Sequence, residues 1–301
     1  MYRDQINFMF LIFFISMCVL LSNSAFAGSE IGVKAGYDTN IDRAVGGGLS
    51  DSWITGFLSF TREPGEETTT DWSFNLHLEG TRYTESTCLN YGTASITPAI
   101  IFYPNPRWRV DISPFIQATG VRDKEQSTLA AGGEIGIKQL LGQKFYTGEY
   151  LIYTDSRADV EIYSYREKTA GVYAGINWTD ALWSEIGYDF SRGDSFRAIG
   201  EYATTQADKE DDSANQSGQG QNGSGKAGKG QYGNSASIRY SQAYNEYIIN
   251  EPVDRQTIGV NIGCQLTGHI YTFINYAYII CKGDAGTSKS HTGTIGLGYN
   301  F

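Results

Sequence analysis

Ten ionisable residues stand out because each falls on the polar phase of a segment in which polar and apolar side chains alternate: Lys34, His77, Glu79, Arg109, Asp111, Glu134, Lys138, Glu149, Glu185 and Asp189. Carboxylates and cations gathered inside a closed wall can line a water-filled pore and bias which ions pass. They can also pair with one another and close it. Metal chemistry is the weaker reading, since His77 and Glu79 share a face but a zinc site wants three or four ligands. A polar pair is expected there, with no metal and no cofactor. His269 is expected in a turn, meeting water. The acidic run Asp208-Lys209-Glu210-Asp211-Asp212 lacks the spaced ligands and turn glycine of a calcium loop and reads as a solvated segment.

The elements that must position these residues are strands, because strand side chains alternate between two faces. Twelve such segments of about ten to thirteen residues recur between turn signals. They run over 30–37, 52–62, 72–83, 93–103, 108–121, 129–140, 145–154, 168–178, 182–191, 256–266, 270–281 and 290–301. The third is sharp: Trp72, Phe74, Leu76 and Leu78 alternate with Ser73, Asn75, His77 and Glu79. The second is apolar on both phases and reads least clearly. Pro104-Asn105-Pro106-Arg107 can only be a tight turn, because each proline lacks a donor and biases its neighbour away from helix.

The connections add an independent constraint. Even-to-odd links (63–71, 104–107, 141–144, 179–181, 267–269) are mostly tiny, whereas odd-to-even links run about eight to twelve residues, with a long one over 192–255. This asymmetry predicts an all-β, transmembrane, antiparallel up-and-down barrel of twelve strands, with short periplasmic turns and one long extracellular loop. Alternating aromatics at 196–203 and 237–249 allow a fourteen-strand alternative. That alternative would put the Gly/Ser-rich segment in the periplasm, so twelve is favoured.

Targeting and composition agree. Arg3, an apolar run from Phe8 to Leu21 and Ala25-Phe26-Ala27 form a secretory signal peptide over 1–27, cut after Ala27. A single barrel domain over 28–301 is expected to follow. Residues 205–234, nearly free of apolar side chains, cannot offset the entropy of ordering and should be disordered. The 21 tyrosines suit aromatic girdles at two membrane interfaces. A net charge of -10 argues against nucleic acid, whose phosphates demand Lys and Arg. It allows a lipopolysaccharide-rich surface if divalent cations bridge the charges. Past Cys18, Cys88, Cys264 and Cys281 are too few for a full disulfide framework, although Cys88 and Cys281 both sit near outer ends and could bridge.

The last residues, Gly293-Thr294-Ile295-Gly296-Leu297-Gly298-Tyr299-Asn300-Phe301, put Leu297, Tyr299 and the terminal Phe301 on one apolar face. They resemble the C-terminal sorting strand of Gram-negative outer-membrane β-barrels. The resemblance implies insertion into the cell outer membrane by the barrel assembly machinery, with Leu297, Tyr299 and Phe301 as the assembly signal. Gly36-Tyr37-Asp38-Thr39-Asn40-Ile41-Asp42-Arg43-Ala44 is similar to the opening of β-barrel porins and of surface lipoprotein assembly modifiers. The helical periplasmic domain of the modifiers has no counterpart in this sequence, which leaves the porin class nearer. Outer-membrane lipid hydrolases carry a Ser two residues after a His, whereas the residue two after His291 is Gly293, so no enzyme is expected. The function implied is passive passage of small solutes, the ten residues above setting selectivity. A closed, structural or surface-interaction barrel whose long loop binds partners is the alternative.

Overall fold

The computed structural model describes residues 28–41, 43–45, 48–62, 69–198, 219–220, 238–239 and 248–301. Twelve strands build a barrel: β1 (Gly28–Asp38), β2 (Asp51–Arg62), β3 (Thr70–Tyr83), β4 (Tyr91–Asn105), β5 (Trp108–Val121), β6 (Thr128–Leu140), β7 (Phe145–Ala158), β8 (Tyr165–Asn177), β9 (Leu182–Ala198), β10 (Ile248–Gln265), β11 (Ile270–Gly283) and β12 (Gly286–Asn300). Each pairs antiparallel with its neighbours in the chain, and β12 pairs back onto β1, so the barrel has no free edge. The seam runs from Glu30 opposite Asn300 to Asp38 opposite Thr292. Apart from the barrel, Gln219–Gly220 pairs with Ile238–Arg239. The count is twelve, not fourteen: residues 196–198 lengthen β9 and residues 248–249 lengthen β10, whose last pair is Ala198 opposite Ile248.

Alternation sets which residues meet the interior. In β8, Tyr165, Glu167, Thr169, Gly171 and Tyr173 are buried while Arg166, Lys168, Ala170, Val172 and Ala174 are exposed. Around the outside runs a belt of exposed apolar side chains: Ile100 is 61% exposed, Ile116 and Leu129 60%, Leu151 59%. A belt of this extent calls for an apolar surrounding.

The double apolar phase of β2 has a packing cause. Trp53 and Phe57 point inward and lie over Gly36 and Gly32 of β1, where an added Cβ would come within 2.3 Å of a ring carbon. Tyr146 covers Gly175, Tyr150 covers Gly171 and Tyr173 covers Gly148 in the same way. Glycine is needed at these strand positions because a ring from the next strand occupies the space of its side chain.

At the loop end, opposite the chain termini, three single-turn helices fold in that the sequence pattern did not announce: Thr87–Leu89, Lys124–Gln126 and Glu161–Tyr163. Leu89 packs with Trp53, Tyr83, Tyr91 and Val121. Tyr163 meets Phe196 edge-on at 5.4 Å, and burial beside Asp123 and Glu125 pushes its hydroxyl up to about 12. The link from β11 to β12 is a correction. It is a two-residue turn, Asp284-Ala285, closed by Gly286 at φ 126, rather than a loop of eight or more. The polar stretch that reads as a loop keeps its alternation, with Ser288 inward in phase with Ser290. Cys88 and Cys281 are not bridged; Arg43 Nη1 instead lies 3.5 Å from the Cys281 sulfur. The signal peptide and the disordered segment expected at 205–234 lie outside the described residues, apart from the 219–220 pairing.

Candidate functional site

The inward charges collect in groups on the wall. Lys34 of β1 and Glu79 of β3 straddle β2, and Lys34 Nζ donates to Glu79 Oε2 at 3.1 Å. Tyr91 OH donates to Glu79 Oε1 at 3.1 Å, and His77 Nε2 lies 3.4 Å from Oε2. Phe57, on the intervening strand, stacks on His77 with centroids 6.1 Å apart. A carboxylate surrounded by three such groups is a structural anion rather than a poised base.

A second group spans β7 to β10. Arg255 Nη2 donates to Glu167 Oε1 at 2.7 Å and to Ser191 Oγ at 3.2 Å. Beside it the Tyr150 hydroxyl donates to Asp189 Oδ1. Nearer the terminal end, Arg109 and Asp111 pair at 3.3 Å on β5, and Lys138 Nζ sits 4.3 Å from the Tyr146 ring centroid. At the loop end Arg197 donates to Glu251 at 2.9 Å and to the Gly286 carbonyl at 3.0 Å, while the Ala285 N–H donates to Glu251. Each ion pair described joins residues of one strand or of strands at most two apart. These pairs run along the wall.

Of the ten residues singled out by sequence, Lys34, His77, Glu79, Glu185 and Asp189 are inward and buried, and Arg109, Asp111, Glu134 and Lys138 are inward and half-buried. Glu149 is a correction: it is exposed on the outer face, opposite Ile137 and Val172. The inward phase of β7 belongs to Tyr146, Gly148, Tyr150 and Ile152, whose bulk reads as an outer face in the sequence. Tyr91, Tyr150, Glu167 and Arg255 were missed. Arg255 was legible, because the inward phase of Asn261, Gly259 and Thr257 continues through it to Glu251. Among the described residues no three His, Cys, Asp or Glu are placed to hold a metal.

The two motifs serve the seam. The Asp38 carboxylate accepts from Ser290, from Thr292 Oγ1 at 2.7 Å and from the Asn40 N–H at 2.8 Å. Asn40 Nδ2 donates to the Lys289 carbonyl at 3.0 Å, tying the loop after β1 to β12. Leu297, Tyr299 and Phe301 all face outward, 48%, 41% and 67% exposed. The Phe301 N–H reaches the Ser29 carbonyl at 2.9 Å.

No protein-family model matches the chain, and no curated protein matches it in sequence. Among solved structures, an outer membrane channel from Pseudomonas putida F1 is similar at a TM-score of 0.58 and 9% identity, covering 93% of this chain and 98% of that one. The NanC porin is similar at 0.47 and 9% identity, over 89% and 98% of the two chains. The KdgM porin is similar at 0.46 and 7%, over 90% and 99%. At these identities the likeness to the Pseudomonas channel concerns the barrel fold.

Proposed function

We propose that the protein is an outer-membrane channel, a barrel set in lipid that lets small solutes pass through a polar lumen. The observation that carries this reading is the contrast between its two faces, together with charge pairs that follow the wall. An apolar belt flanked by exposed rings, Trp72, Phe102, Trp108 and Phe145 toward the terminal end and Tyr37, Tyr153 and Tyr276 toward the other, suits a bilayer. A pair between neighbouring strands does not bind opposite walls together as a lumen-spanning pair would. The Pseudomonas putida structure with this fold is named an outer membrane channel, which supports the reading.

Acidic side chains outnumber basic ones among the inward residues described, so passage should favour cations. On this reading Arg109, Asp111, Glu134 and Lys138, inward and half-buried, tune selectivity. Residues 1–27 direct export, and Leu297, Tyr299 and Phe301 are read by the assembly machinery. The experiment is conductance of the refolded mature chain in a planar bilayer under a potassium chloride gradient. Discrete steps with a cation-selective reversal potential are expected. A second reading, a barrel closed to solutes whose outer loop binds partners, draws on the rings of Phe115, Tyr146, Tyr150 and Tyr173, which cluster inside one wall. It predicts no steps.

A further inference from the structure

On the outer face, one rung across β7 to β11 reads Tyr153, Lys168, Arg192, Asp254, Lys282. Lys168 and Arg192 are direct cross-strand partners, and like charges directly opposite each other in an antiparallel pair are destabilising. Both are exposed; Arg192 reaches Asp254 only at 3.6 Å with its side chain 76% exposed. One residue further toward the loop end on the same phase, Arg166 and Arg157 share Asp155. A chain of net charge -10 thus gathers cations on one patch of its exterior.

The place of the patch is as specific as its charge. Lys168 stands ten residues along from the exposed Trp178, and Arg192 ten from Leu182, which is about the length of strand that crosses a bilayer. Directly below, the small side chain of Ala170 lies between Leu151, 59% exposed, and Phe190, 38% exposed, and the next outward side chain on β8 is Val172, 50% exposed. Cations at the rim above apolar side chains match an amphiphile with a phosphate head and acyl tails.

We infer that Lys168 and Arg192, with Tyr153 beside them, form an exterior binding site for the phosphate headgroup of an anionic membrane lipid, its tails lying along Ala170 between Leu151 and Phe190. A phosphate between the two cations turns a repulsive pair into a shared contact, which accounts for their direct opposition. The inference rests on the reading of the apolar belt as lipid-facing and is independent of whether the lumen conducts.

The test uses the mature chain refolded in a neutral detergent, with lipid retention read by native mass spectrometry and thermal unfolding by the gel shift of the heated barrel. The probes are phosphatidylglycerol, zwitterionic phosphatidylcholine and inorganic phosphate, each alone. Phosphatidylglycerol is expected to stay bound and raise the unfolding temperature; K168Q/R192Q should weaken that retention roughly thirtyfold, each cation near an anionic headgroup contributing about a fivefold factor. R82Q, which removes an exposed cation elsewhere on the outer face, should leave it unchanged. Without lipid, K168Q alone should be at least as stable as the wild type, because the like-charge contact is gone. A merely structural role for Lys168 predicts the opposite sign. The inference is overturned if the double variant retains lipid like the wild type, if R82Q loses as much, or if inorganic phosphate protects as well as the lipid does.

Discussion

Replacing Glu79 with leucine removes the acceptor shared by Lys34, Tyr91 and His77. The Lys34 side chain is 2% exposed and that of Glu79 fully covered, so the ammonium loses a 3.1 Å ion-pair contact where water scarcely reaches it. Breaking a buried pair from one side costs about 3–5 kcal/mol, and the lost Tyr91 hydrogen bond about 1 kcal/mol. The leucine regains part of this through its own burial, which leaves an expected loss of about 3 kcal/mol. Lys34→Met with Glu79→Leu removes both charges at similar volume, and such replacements are often neutral, so most of the loss should return. The assay is urea unfolding of the refolded barrel in micelles, followed by the fluorescence of its five tryptophans. A single-variant loss below about 1 kcal/mol, the value of a solvated pair, would refute the reasoning. So would a double variant no better than Glu79→Leu.

The remaining predictions use the same geometry. Gly171→Ala should destabilise by about 1–3 kcal/mol because its Cβ would meet the Tyr150 ring at 2.2 Å, while Gly56→Ala, facing outward with nothing within 4 Å, should not; unfolding midpoints compared side by side check both. Glu149→Leu should leave ion selectivity untouched and raise barrel stability in lipid by about 1 kcal/mol or more, since an acid on the outer belt is a cost; bilayer recording and unfolding in vesicles measure the two effects. Removing Phe301 should lower the amount of folded, heat-modifiable barrel in the outer membrane, and an unchanged level would argue against its role as the assembly signal.

The barrel was legible because its rule is local: period-two alternation and short turns on one side are printed in the residues themselves. What failed did so where a side chain was placed by a neighbour on another strand. The phase of β7 turned on whether Tyr146 and Tyr150 faced in, and the reason they do is Gly175 and Gly171 on β8. That pairing is a fact of register, absent from either segment alone, and it carried Glu149 to the wrong face. The tight turn between β11 and β12 was lost similarly, because Ser288 and Lys289 look like loop residues until they are set opposite Cys281 and Ile280 of β11. Inward charge was readable as composition, whereas the partners of each charge, such as Arg255 with Glu167 across β9, required the closed wall.

Recording single-channel currents from the refolded mature chain in a planar bilayer, beside a version lacking residues 208–230, tests the central claim most directly. Discrete steps in both, with a reversal potential on the cation side that shifts toward anions in Asp111→Asn/Glu134→Gln, are the predicted result. Silence from both proteins, in bilayers where their folding is verified by heat modification, would contradict the channel and leave a closed barrel.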